Sequence, residues 1–354
     1  MRAKWLSVLG LTAFGLIAGI ALAEALVRIT GLASPPGAVT VNERQFREIP
    51  GVFVPQATIE NRSVPRFPHH ITVNSLGYRG AEVPFEPEEG EFRIFFAGDS
   101  FTWGDLVDDH ETLPARLEAY LSSFCPGVRV INAGIGGTTI VGQREMIRRG
   151  LPLGPDLVLL LFYDNDVAEM APPQFWDVMT ENRRRKSTFP ASAVYSVLNR
   201  SAIWVVARRT VTRLGQVTTG GVDEVIEDRD DAFWEREREP QRERYAEQFR
   251  GTVAELRDEG IPLLLASYPS HLRVQDPTVL FNHAEWLEGL AAGEGVPFLD
   301  LLPGLESLGL SMEDLYFLPW DGHARPIGYT MAAEWIGTEV LELDVASHYC
   351  TQDP

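Results

Sequence analysis

At 354 residues and 45% apolar, the chain can bury a substantial core, which argues against global disorder and allows one large α/β domain with insertions. Its formal net charge of -19 argues against a nucleic-acid partner and against the folded body lying on an anionic membrane surface. The two cysteines, Cys125 and Cys350, form no metal-ligand spacing and read either as one disulfide or as two independent thiols.

The N-terminus sets Arg2 and Lys4 before an uncharged, mostly apolar run from Trp5 to Ala23. As a helix rising ~1.5 Å per residue, that run covers about 28 Å, close to the ~30 Å of a bilayer's hydrocarbon. It predicts one transmembrane helix with the N-terminus inside and the body outside the cytoplasm. Ala21-Leu22-Ala23 also resembles a small-residue cleavage site, so a removed signal peptide is the alternative, and the body is then secreted. The run exceeds the ~7–15 residues of a signal core, which favours an anchor over residues 1–32. Both readings export the body.

Residues 33–90 are proline-rich ("ASPPGAVT", "VPRFPHH", "EVPFEPEEGE") and predict an extended tether lying against the domain. From residue 91 to about 345, short apolar runs alternate with helical periodicity. "FRIFFAG", "VRVINAG", "PDLVLLLFY", "IPLLLASYP" and "VPFLDL" predict strands. The intervening helices are expected over "ETLPARLEAYLSSF", with Leu113, Leu117 and Leu121 on one face, then "VGQREMIRRG", "RYAEQFRGTVAELRDEG" and "NHAEWLEGLAAGEG", with "PIGYTMAAEWIGTEVLEL" last. The uniformly apolar third strand is the signature of a strand covered on both faces. Strict alternation of strand and helix implies a parallel sheet wrapped by helices. An irregular insertion is expected at about 168–240. Its charge runs ("ENRRRK", "EDRDDAFWEREREPQRER") read as solvated surface, with a lid over the site as the functional alternative. "SAVYSVLNRSAIWVVARR" is apolar enough to touch a membrane, but Asn199 and Arg200 divide it, so it is no span. Residues 346–354 read as a tail.

In an open parallel sheet, ligands bind at the carboxyl ends of the strands. There the sequence places Gly98-Asp99-Ser100, "NAGIGGTT" from Asn132, "YDND" from Tyr163, and, before the last helix, "FLPWDGHARPIGY" with Asp321 and His323. Each has a plain structural alternative: Ser100 as a helix cap, the glycines for a turn, Asn165 as a cap, Asp321 as a turn residue, His323 as packing. Together they supply complementary parts of a nucleophilic site. A serine hydroxyl needs a base, which His323 can be, and Asp321 can orient that base. A developing oxyanion needs donors, available from the backbone N–H groups of Ser100 and Gly137 and from the Asn165 amide.

These blocks, in order, resemble those of the SGNH hydrolase family, also called GDSL-type esterases. "AGDSFTWG" resembles the serine block, "NAGIGG" the glycine block, "YDND" the asparagine block and "DGH" the histidine block, over roughly residues 92–340. "VNSLGYRG", residues 73–80, looks like a segment preceding the serine block in membrane-anchored bacterial members. The resemblance implies a flavodoxin-like three-layer α/β/α sandwich and no cofactor or metal. It implies Ser100 as nucleophile, His323 as base, and Ser100, Gly137 and Asn165 as the oxyanion hole. Tyr163 stands where the family's asparagine block has glycine, and Trp320 where its histidine block has aspartate, leaving Asp321 as the nearby carboxylate. That Asp-x-His spacing resembles a branch that O-acetylates exported polysaccharides, so water and a sugar hydroxyl both stand open as acyl acceptors. The expected activity is hydrolysis of an acyl ester, acetyl above all, on a carbohydrate or lipid. The alternatives are a polysaccharide O-acetyltransferase and a non-catalytic carbohydrate-binding or envelope-assembly module.

Overall fold

A computed structural model describes residues 2–30, 58–61, 67–168, 170, 198, 201–204, 206–207, 231–276, 278–279, 282–319 and 321–351. The chain divides into two compact units: residues 1–38 with 173–224, and residues 39–172 with 225–354.

The larger unit is built on five parallel strands: β3 (Phe92–Gly98), β4 (Val128–Gly134), β5 (Leu157–Tyr163), β6 (Leu263–Tyr268) and β7 (Phe298–Asp300), ordered β4-β3-β5-β6-β7. Ahead of them, β1 (Thr58–Asn61) and β2 (His69–Thr72) form a separate antiparallel pair within the expected tether. The strand order reverses between β3 and β5, and that switch point is where open α/β sheets bind ligands.

The sheet is covered on both faces, as period-2 alternation shows. Phe92, Ile94 and Phe96 of β3 join one apolar cluster, while Phe95 and Ala97 join the other. The first cluster is closed by Leu113, Leu117 and Leu121 of α3 (Leu113–Leu121) and by Ala332, Ala333, Ile336 and Val340 of α11 (Pro326–Glu342). The second is closed by Met146 and Ile147 of α4 (Ile140–Gly150) and by Tyr245, Phe249 and Val253 of α6 (Asp231–Asp258). At about 1.5–3 kcal/mol per fully buried large side chain, this two-sided burial is the main force holding the layers together. Shorter helices complete the unit: α2 (Ser100–Trp103), α5 (Asn165–Ala168), α7 (His271–Gln275), α8 (Ala284–Gly293), α9 (Leu302–Ser307) and α10 (Met312–Leu315).

Three expectations change. The long helix α6 begins at Asp231, inside the expected irregular insertion, and continues through Pro240. Salt bridging supports its charged stretch: Arg242 pairs with Glu239 at 3.1 Å and lies 5.2 Å from the Trp286 ring. The end of the chain is also more than a tail. Cys125 and Cys350 are disulfide-bonded, Ala346 is buried, and Tyr349 stacks on Phe92 with ring centroids 5.0 Å apart. Finally, β7 is short, covering only the middle of the expected run. The lid alternative for "ENRRRK" lies outside the described residues.

The smaller unit contains α1 (Arg2–Ile29), a helix through the whole apolar run. Near its end Glu24 accepts hydrogen bonds from the backbone N–H groups of Ala202 and Ile203 (2.8 and 3.1 Å) and from Ser201 Oγ (2.9 Å). Ala202 is buried against Val27 and Val206. Among the described residues, no helix is long and apolar enough to cross a membrane. The side chains of residues 2–9, and of Ala13, Leu16 and Ile17, on which the expected span largely rests, lie outside the described residues.

Candidate active site

The loop after β3 begins with a tight constraint. A Cβ at Gly98 would come within 2.1 Å of Thr102 Oγ1, so α2 turns directly over the strand end. A Cβ at Gly134 would likewise meet the Trp103 nitrogen at 2.1 Å, which lets β4 pass under the same turn. Asp99, not Ser100, caps α2: its Oδ1 accepts the Phe101 N–H at 2.9 Å. The capping alternative for Ser100 therefore falls away, and its hydroxyl is left for other work. Gly104 ends the turn in the left-handed region, φ 85°, a conformation that suits a residue without Cβ.

Ser100 Oγ lies 2.7 Å from His323 Nε2. The other ring nitrogen, Nδ1, is 2.5 Å from Asp321 Oδ1, and the same oxygen accepts the His323 backbone N–H at 2.9 Å. Two residues of spacing thus suffice to align a carboxylate with its histidine. The segment is pinned by the Phe317 N–H on the His323 carbonyl and by the bridge between Tyr316 and Ala324. The imidazole rests on Phe101, centroids 5.0 Å apart, and Phe101 stacks on Tyr163 at 3.9 Å. That stacking gives a physical reason for tyrosine where the resemblance expects glycine.

The electrostatics differ among the carboxylates. Burial pushes Asp321 up, but the hydrogen bond and charge of His323 outweigh it and hold the carboxyl below its ordinary value. Fully buried Asp99 is pushed up to about 6, chiefly by desolvation. Asp164, also fully buried, is pushed up by desolvation and accepts the Ser270 N–H at 3.1 Å, tying the ends of β5 and β6 together. Two other carboxylates are engaged elsewhere: Asp166 accepts from Gln143 Nε2 at 3.0 Å, and Asp314 closes a capping box with Ser311. Trp320 lies outside the described residues.

Asn165 opens α5 immediately after β5, and Gly137 lies in the loop after β4 with φ 70°. Both loops leave strands that flank β3. At Gly137 a Cβ would meet open space. Its neighbour Gly136 is the glycine that borders Ser100, since a Cβ there would lie 3.9 Å from Ser100 Cβ and 3.9 Å from Asp105 Oδ2.

Two residues around the site carry no signal of their role in the sequence. Arg79, within the "VNSLGYRG" motif, is buried and donates to the carbonyls of Trp103 (2.8 Å), Gly104 (2.6 Å) and Val107 (2.7 Å) and to Asp109 (2.8 Å). Nothing local to that motif points at the loop that carries Ser100. Asp105 is a second case: its Oδ2 lies 3.7 Å from His323 Nε2. A carboxylate five residues past Ser100 carries no signal of its own until the loop folds back. Among the described residues, no group of three His, Cys, Asp or Glu side chains could hold a metal ion.

A hydroxyl bonded to an imidazole that is bonded in turn to a carboxylate can pass its proton to the ring and attack an electrophilic carbon. The sequence profile of the GDSL-like Lipase/Acylhydrolase family matches residues 96–330. No curated protein matches the chain. Among solved structures, an acetyl xylan esterase shares 18% identity at TM-score 0.43, over 70% of this chain and 99% of its own. A catalytic mutant of an acetylxylan esterase from Geobacillus stearothermophilus shares 16% at TM-score 0.41, over 72% and 95%. A member of the lipolytic protein G-D-S-L family from Veillonella parvula DSM 2008 shares 14% at TM-score 0.42, over 71% and 99%.

Proposed function

The chain belongs to the GDSL-like lipase/acylhydrolase family and is an ester-hydrolysing enzyme, and from that premise we propose that it cleaves an acyl ester, acetyl above all, on an exported carbohydrate or lipid through Ser100, His323 and Asp321. The observation that carries this reading is the unbroken line from Ser100 Oγ through both ring nitrogens of His323 to Asp321 Oδ1. In the first half-reaction Ser100 Oγ bonds to the acyl carbon while its proton moves to His323 Nε2. The alcohol–carbon bond then breaks, and the same proton passes from Nε2 to the departing alkoxide. In the second half-reaction water repeats the path in reverse and frees the acid and Ser100. The negative oxygen formed in each half is assigned to the Ser100 and Gly137 backbone N–H groups and the Asn165 amide. Asp321 stays ionised and stabilises the imidazolium without taking its proton.

A second reading replaces water with a sugar hydroxyl, making the enzyme a polysaccharide O-acetyltransferase. The spacing of Asp321 and His323 favours it. The two readings share the acyl-enzyme and differ only in what resolves it.

We also propose that the catalytic body lies outside the cytoplasm, held at a membrane by α1. Support comes from the uncharged run within α1 and from the exposure of Leu11, Phe14, Ile20 and Leu22 along it, a surface that favours an apolar surround. The Cys125–Cys350 disulfide is further support, because such bonds persist in oxidising compartments. Carbonate washing of membranes tests the anchor: retention of the full chain supports it, and a soluble product starting near Glu24 contradicts it. For the activity, wild type and Ser100→Ala are compared on short acyl esters and acetylated glycans, with and without an acceptor sugar. Ser100-dependent release of acetate supports hydrolysis, Ser100-dependent acetylation of the acceptor supports transfer, and turnover that survives Ser100→Ala refutes both.

A further inference from the structure

We propose that Asp105 determines the alcohol side of the substrate, selecting esters whose alcohol carries a second hydroxyl on the carbon next to the ester oxygen, as monoacylated sugars and other vicinal diols do. This deepens the reading of Ser100 and His323 given above and rests on it.

Three carboxylates surround the Ser100–His323 pair, and they differ in what they can reach. Asp99 is completely buried and spends one oxygen capping α2. Asp321 is bonded to Nδ1, on the side of the ring away from the serine. Asp105 is the most open of the three, its side chain 38% exposed, and it faces the opposite nitrogen, with Oδ2 3.7 Å from Nε2. Nε2 is the atom that hydrogen-bonds Ser100 and, in the proposed chemistry, protonates the departing alcohol. That alcohol oxygen must therefore come within ~2.6–3.2 Å of Nε2. A carboxylate oxygen 3.7 Å from the same nitrogen is within hydrogen-bond reach of a hydroxyl one carbon further along the alcohol. An ionised carboxylate accepts hydrogen bonds and donates none, so a hydroxyl satisfies it, whereas an anionic group on the substrate is repelled.

The backbone around Asp105 is fixed. Gly136 borders both groups, since a Cβ there would stand 3.9 Å from Ser100 Cβ and 3.9 Å from Asp105 Oδ2, in ordinary contact with each. Asp105 is bracketed by two residues in the left-handed region, Gly104 at φ 85° and Leu106 at φ 66°, the second an unfavourable conformation for leucine. Its own N–H returns to the Ser100 carbonyl at 3.2 Å. Buried Arg79 grips the carbonyls on either side, those of Gly104 and Val107. The backbone that carries the carboxylate is thus fixed before substrate arrives, which limits where the carboxylate can reach.

The test uses the full chain and a matched pair of probes, trans-2-hydroxycyclohexyl acetate and cyclohexyl acetate, with phenyl acetate as an activated reference. The quantity read is the ratio of kcat/KM for the diol monoester to that for the mono-ol ester. Wild type is expected to favour the diol monoester by about tenfold or more, the scale of a hydrogen bond to a charged group. Asp105→Ala is expected to bring the ratio close to one. Asp105→Asn, which keeps the shape and an acceptor oxygen, is expected to fall between them, and matching melting temperatures show that neither change acts through the fold. If Asp105 acted only as a charge near the imidazole, both esters would lose rate together and the ratio would survive. A ratio unchanged by Asp105→Ala, or near one in wild type, overturns the proposal while leaving the reading of the site intact. The same holds if wild type cleaves phenyl acetate but neither alkyl acetate. Cleavage that persists in Ser100→Ala overturns the reading of the site itself.

Discussion

Asp321 Oδ1 accepts both the backbone N–H and the ring Nδ1 of His323, at 2.9 and 2.5 Å. One carboxylate oxygen therefore fixes the turn and the imidazole at once. The arrangement explains how an aspartate two residues before the histidine can do what the family places three residues before it. Asp321→Asn is expected to leave the fold intact and lower kcat by up to ~10⁴, because the amide can favour the wrong tautomer. Combined with His323→Ala it should be barely worse than His323→Ala alone, since the groups act as one unit. Multiplicative losses in the double variant would show that Asp321 works apart from the histidine.

Asn165 stands just past the end of β5, which neighbours β3, the strand that leads into Ser100. As an oxyanion donor its loss should lower kcat by about 10²–10³ with little change in KM. Steady-state kinetics of Asn165→Ala check this. A loss of melting temperature with turnover preserved would make the residue a cap.

Asp99 gives a pH signature. Its folded-state pKa is raised to about 6 from an ordinary 3.8, chiefly by burial. Between those values the folded state binds more protons than the unfolded one, so stability falls as pH rises through that window and stays lower above it. Asp99→Asn keeps a capping oxygen and removes the buried charge. It should raise the melting temperature at pH 8 and do much less at pH 4, as read by calorimetry. An equal shift at both pH values would mean that the buried charge is not the cause.

The Cys125–Cys350 bond joins residues 225 apart and ties the end of the chain beside Tyr349 and Phe92. Cys350→Ser is expected to cost about 2–5 kcal/mol in urea unfolding, with activity retained in the folded fraction. A wild type whose midpoint ignores strong reductant would refute a stabilising disulfide.

How much of this the sequence revealed depends on the range over which each feature is decided. The strands were plain because β3 and β5 are buried on both faces, and a continuous apolar run is what such burial demands. The helix face Leu113, Leu117, Leu121 was plain for the same reason. The start of α6 was hidden, since its apolar periodicity begins only near Tyr245 and the residues before it are charged. At the site, Ser100 and His323 could be picked out by chemistry and local spacing. Arg79 and Asp105 could not: one acts on carbonyls more than twenty residues away, and the other meets His323 only when separate loops converge.

Covalent labelling with a fluorophosphonate tests the role of Ser100 most directly. A single adduct on Ser100 is expected in the folded enzyme, found by peptide mass spectrometry, absent in Ser100→Ala and strongly slowed in His323→Ala. An adduct on a different residue, or undiminished labelling of Ser100→Ala, would contradict that role.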